Sequence, residues 1–162
     1  MVVSAPPRAH ANDMFAGFVM ARVCLPYASR ARTFEGAMRA AREMEFRRPA
    51  GDQAPLEEWA SEVDMVSKDG RWRLHIEEGS IEEGGTEAYA VTCTLSSNLA
   101  GAQQLARAAR LAVGRSPQWS QAPDNPWRWE RRTLRPDEYR LRLDVTEQPG
   151  QRPQLAARGL YY

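Results

Sequence analysis

The sequence predicts an α+β domain: an antiparallel sheet of about five strands with three helices packed on one face, in the order ααβββαββ. Three observations lead there. Two early segments carry apolar residues at helical spacing. From Glu58 the apolar period changes to two, the period of a strand with one buried face. Two turn signals then join alternating runs into hairpins, which a doubly wound parallel sheet does not use.

The first helix is expected over Asp13 to Cys24, capped by Asn12 or Asp13, with Pro26 ending it. The second fits "TFEGAMRAAREMEF", where Thr33 caps and Phe34, Ala37, Met38, Ala41 and Met44 form one stripe. Such a stripe reads as core rather than as a cofactor box. Residues 47 to 57 read as a loop, with Pro49, Gly51 and Pro55. "SEVDMVS" and "RWRLHIE" flank Lys68-Asp69-Gly70, a hairpin signal. "EGSIEEGG" is expected as an acidic connection, followed by a strand from about Ala88 to Leu95. Ser97 or Asn98 caps a third helix, "LAGAQQLARAARLAV", which Gly114 stops. "RSPQWSQAPDNP" reads as a loop, and "WRWERRTL" and "EYRLRLDV" as a hairpin turning at Arg135-Pro136-Asp137. The tail after Pro149 reads as irregular. No internal repeat is evident. Residues 1–12 are expected to be a flexible N-terminus or leader remnant, and 13–162 a single domain.

The composition, 43% hydrophobic and 27% charged, is that of a globular chain. No run reaches the roughly 18 apolar residues of a membrane-spanning helix. A net charge of +1 conceals segregation. Residues 52–87 hold eleven acids against three basic side chains, and both flanks carry an excess of arginine. A chain whose acidic middle can neutralise its basic ends is a poor candidate for nucleic acid, whose binding domains are basic overall. Lys68 is the only lysine, which reads as coding bias.

Cys24 and Cys93 have no metal-ligand spacing. Cys93 shares a strand face with Tyr89, Val91 and Leu95, and Cys24 closes a helix suited to pack there. The pair is either one disulfide or two buried thiols, and the shared core favours the disulfide. Ala9-His10-Ala11 has the small-x-small form of a leader cleavage site, but the apolar stretch of a leader does not precede it.

The segment "MFAGFVMARVCLPYASRARTFEGAMRAAREMEF" resembles the start of small exported bacterial proteins of unknown function, through Phe18, Cys24, Pro26, Phe34, Ala37, Ala40, Ala41 and Phe46. "VSKDGRWRLHI" and the Cys93 strand are similar to the same pattern. The resemblance implies a periplasmic or secreted home, with a cytoplasmic one as the alternative. It implies no reaction.

No nucleophile elbow, phosphate loop or His-x-x-x-His spacing occurs. His75, between Arg73 and Glu77 on an outward strand face, could pose as a base, but reads as part of a solvated charged face. Glu77, Glu78, Glu82 and Glu83 lack the alternating spacing of a calcium loop. No catalytic residue, cofactor or metal is assigned. The expected role is non-enzymatic, through contact with a protein partner. The expected contact surface is the hairpin bearing Trp127, Arg128, Trp129, Arg132, Arg140 and Arg142, since Trp and Arg are enriched at interface hot spots. The rival readings are a cytosolic immunity or inhibitor protein that uses the acidic segment as a mimic, and an enzyme centred on His75.

Overall fold

The computed structural model describes residues 7–49, 56 and 59–162, with the side chains of 7–10 left aside. The chain runs α1 (Pro7–Val19), a π-helical turn (Met20–Cys24), α2 (Leu25–Ala28), α3 (Phe34–Glu43), β1 (Phe46–Arg47), β2 (Glu62–Ser67), β3 (Trp72–Glu83), β4 (Thr86–Ser97), α4 (Ala102–Val113), β5 (Trp119–Ala122), β6 (Asn125–Arg131), β7 (Tyr139–Thr146) and β8 (Gln154–Tyr161). It is an α+β structure with an antiparallel sheet. The sheet has eight strands, not about five, in the order β1-β2-β3-β4-β8-β7-β6-β5.

Several expectations change at the ends of the chain. The first helix begins at Pro7, six residues before Asp13, and residues 1–6 lie outside the described residues. It also continues past Pro26. The π-helical turn shifts the bonding so that the Leu25 N–H reaches the Met20 carbonyl, and Pro26 falls in the first turn of α2, where its missing N–H costs least. Most of the expected 47–57 loop lies outside the described residues, as do Asp52, Glu57 and Glu58 of the acidic segment.

Three strands are additions. Phe46–Arg47 pairs with the end of β2, Trp119–Ala122 edges the far side, and the tail is the central strand β8, paired with both β4 and β7. "EGSIEEGG" is not a loop either. It extends β3 to Glu83, and Gly84 and Gly85, with φ of 60° and 80°, make the two-residue turn into β4.

Of the remaining helix signals, the Thr33 cap and the Gly114 stop are realised, while the expected Ser97 or Asn98 cap is not: Ser97 ends β4, its hydroxyl donating to the Arg71 carbonyl at 2.7 Å, and α4 begins only at Ala102. The Thr33 hydroxyl accepts from the Gly36 N–H at 3.1 Å and caps α3. At α4 the cap is Gly101, whose N–H is held by the Gln104 side chain at 3.0 Å, and Gly114 ends the helix at φ 61°.

The strand order reads the same from either edge, so the sheet consists of two four-strand meanders meeting at the β4–β8 seam. Helices precede both meanders, and α1 packs on α4. Trp72-Arg73-Leu74-His75-Ile76-Glu77 on β3 thereby corresponds to Tyr139-Arg140-Leu141-Arg142-Leu143-Asp144 on β7. The repeat is a property of topology, and only this short match marks it in the sequence.

The core lies between helices and sheet. Val19, Met20, Val23 and Cys24 join Leu74, Ile76, Cys93, Leu143 and Leu155, all essentially inaccessible. Phe15 stacks on Phe46 at 6.0 Å and meets Trp72 at 5.3 Å. Cys24 and Cys93 form a disulfide, with Cα atoms 5.1 Å apart across 69 residues of chain.

Candidate functional site

Two surfaces concentrate chemistry. The first is the polar face of the sheet, where side chains alternate with the buried ones. At its centre Thr94 pairs with His75 on one side and Ala156 on the other. On the β6–β7 side, the Arg128 Nε lies 2.6 Å from Asp144 Oδ1, and Arg142 binds both Asp144 (3.0 Å) and Glu83 (2.9 Å). Glu83 reaches β7 because the long β3–β4 hairpin curls over this face and packs Ile81 on Ala88, Ala90 and Leu160. These arginines are thus neutralised within the fold. The hydrogen bond it donates to Asp144 holds the Arg128 guanidinium above its already high ordinary pKa.

On the β2–β3 side the same face is acidic. His75 Nδ1 lies 2.8 Å from Asp64 Oδ1, and its Nε2 lies 3.2 Å from both Glu62 Oε1 and Glu77 Oε2. Burial disfavours the charged imidazole, but the hydrogen bonds it donates to Asp64 and Glu77 outweigh it and raise the pKa above the ordinary histidine value. His75, itself 28% exposed, thus sits in a cage of carboxylates that are 45–72% exposed, within a solvated face of cross-strand charge pairs as expected.

The second surface is the outward side of α1 and α4. Inward, α1 buries Ala16 and Val19; outward, it leaves Met14 52% and Phe18 46% exposed. Leu111 of α4 is 55% exposed and lines one hollow with Met14. The two helices approach closely at Gly17, where an added Cβ would lie 3.1 Å from the Leu111 Cβ. Met14 and Leu111 thereby share one hollow, and Phe18 follows Met14 one turn along α1. Arginines rim this surface: Arg22 lies over the Phe18 ring at 5.0 Å, and Arg110 and Arg115 line the hollow. Arg107 reaches the buried Asp13 at 3.2 Å.

The expected Trp/Arg hairpin divides between locations. Trp129 is buried in the core, while Trp127 is 37% exposed beside α4, lining a cleft with Arg107 and Arg110. Arg128 and Arg142 are held in the ion-pair cluster on the opposite face of the sheet. Arg140 is exposed, donating to the Pro136 carbonyl and lying 5.8 Å from the Tyr162 ring. Arg132 is exposed just beyond the end of β6. Only Trp127 joins the α1–α4 surface. The side chain of His10 is outside the described residues.

Sequence reasoning missed Met14, Phe18 and Leu111 as a surface. One signal was available: from Met14 to Met20 the helical segment is apolar on every side, as expected of a helix covered on every side.

No protein-family model, curated protein or solved structure matches the chain. Among the described residues, no helix is long and apolar enough to cross a membrane.

Proposed function

We propose that this is an exported, non-enzymatic binding protein that engages an acidic segment of a protein partner through the outward face of α1 and α4. The observation that carries the reading is the joint exposure of Met14, Phe18 and Leu111 inside an arginine rim. Monomeric surfaces rarely gather large apolar side chains in one patch, and such patches mark interaction sites. The charge of Arg22, Arg110 and Arg115, with Asp13 already matched by Arg107, favours an occupant with carboxylates around an apolar stripe. Trp127 extends the surface on the other side of Arg107 and Arg110, so one exposed member of the Trp/Arg hairpin contributes and the paired arginines do not. The Cys24–Cys93 disulfide supports a periplasmic or secreted home, since such bonds persist in oxidising compartments. The resemblance to small exported bacterial proteins points the same way.

The test compares Met14→Asp and Leu111→Asp with Leu134→Asp, a control at a 96% exposed leucine away from the patch. In affinity purification from exporting cells, the expected result is one acidic partner reduced about tenfold or more by each patch variant, the loss of a single hot-spot contact. The control retains it, and all three melt with the wild type. Retention of every partner by both patch variants overturns the reading.

A further inference from the structure

The geometry points to a divalent transition-metal site on the polar face of the sheet, of the zinc class, with His75, Glu62 and Glu77 as ligands and Asp64 as the residue that orients the imidazole. This site is independent of the α1–α4 surface and uses none of its residues.

The argument begins with hydrogen-bonding capacity. An ionised carboxylate only accepts, so the 2.8 Å contact to Asp64 requires the proton on His75 Nδ1. In the neutral ring this leaves a lone pair on Nε2, facing one carboxylate oxygen from Glu62 and one from Glu77, each at 3.2 Å. All three ligand atoms lie within 4.8 Å of one another. Three electron-pair donors converging on one point gather a cation: either the proton that makes His75 an imidazolium, or a metal ion that displaces that proton. The spacing suits a metal ion: at zinc-to-ligand distances of about 2.0–2.1 Å, neighbouring ligands stand roughly 3.0–3.5 Å apart. A metal-bound histidine that gives its other N–H to a carboxylate is also a recurrent outer-shell arrangement, which fixes the tautomer and raises ligand basicity.

The second half of the sheet supplies an independent comparison. The cross-strand pairs Asp64–His75 and Glu62–Glu77 correspond there to Glu130–Arg142 and Arg128–Asp144. Two of the four positions on that side are arginines, and their permanent charge is matched by Asp144 and by Glu83 of the hairpin tip. On the first side the corresponding four positions are three carboxylates and one imidazole. Arg73 lies two residues from His75 on the same strand, and Arg158 of β8 is bonded to Thr92, so neither stands at an equivalent point. Arg142 thus corresponds to His75 and Arg128 to Glu62, so two permanent cations in one half are matched in the other by a titratable imidazole and a carboxylate, a set that a metal cation can enter in place of the imidazole proton. One imidazole with two carboxylates suits Zn2+ better than Ca2+ or Mg2+, which prefer all-oxygen sets.

The experiment is calorimetric titration of the full disulfide-bonded chain with Zn2+ after chelator treatment, with Co2+ absorption as a second reading of coordination. The expected result is one ion per chain and a Co2+ spectrum of low coordination number. Affinity should fall about tenfold or more in His75→Ala and in Glu77→Gln, and about tenfold in Asp64→Asn, as outer-shell changes do. Glu130→Gln, at the matching point of the other half, should leave it unchanged. Absence of stoichiometric Zn2+ binding by the wild-type chain overturns the proposal, as does binding that survives His75→Ala. The wild-type result stands whether or not every variant folds.

Discussion

The carbonyl oxygen of Ala28, at the end of α2, lies directly over the α-carbon of Gly159 in the central strand β8, where a side chain would collide with it. The neighbouring Tyr161 hydroxyl donates to that same carbonyl at 2.6 Å. Gly159 is thus a point of closest approach between α2 and the seam between the two meanders.

Gly159→Ala should lose about 1–3 kcal/mol in urea unfolding, the range of overpacking, and Gly159→Val more. Gly79, in β3, has open space around its α-carbon and no positive φ. Gly79→Ala should therefore be neutral or stabilise by a few tenths of a kcal/mol to about 1 kcal/mol. Equal effects at the two glycines would refute the close approach.

The disulfide closes a long loop across the fold. Replacing both Cys24 and Cys93 by Ala should cost about 4 kcal/mol in the chain-entropy picture. Both are fully buried, so native protein in mild reductant should not react with a thiol reagent until it unfolds. Prompt labelling of the native chain would contradict this.

The β2–β3 turn should weaken in acid. The Ser67 hydroxyl, then the Arg71 N–H, hold the Asp69 carboxyl below its ordinary range. A depressed folded pKa gives stability that is present above the unfolded value, near 4, and is lost as pH falls through the folded one. The residue is exposed, so the effect is small. Asp69→Asn should remove this part of the acid dependence, measured as the difference in unfolding midpoint between pH 6 and pH 3. An unchanged difference would show that the hydrogen bonds are not kept in solution.

Much of the fold was legible. Alternation over Val63–Met65, Trp72–Ile76 and Leu141–Val145 marked strands with one buried face, Asp69-Gly70 marked a hairpin, and Thr33 and Gly114 marked helix ends. The Cys24–Cys93 pairing followed from two faces expected to share a core. What stayed hidden has physical causes. In β8 the alternating inward positions Leu155, Ala157 and Gly159 shrink towards the helix, so the hydrophobic signal fades where packing is closest. Pro26 reads as a stop because the π-helical turn that accommodates it has no local code. The cage around His75 needed the register of β2 against β3, since Glu62 and Asp64 lie more than ten residues away in sequence. The Trp/Arg hairpin looked like a surface because the ion-pair partner Glu83 lies 59 residues from Arg142.

The most direct test of the binding role is site-specific photo-crosslinking in living exporting cells, with the reactive residue at position 111 and, as a control, at the exposed Lys68. The account predicts an adduct to another protein at position 111 and none at 68, with the captured peptide rich in Asp and Glu. No adduct at 111, the same adducts at both positions, or an adduct between two copies of this chain would contradict it.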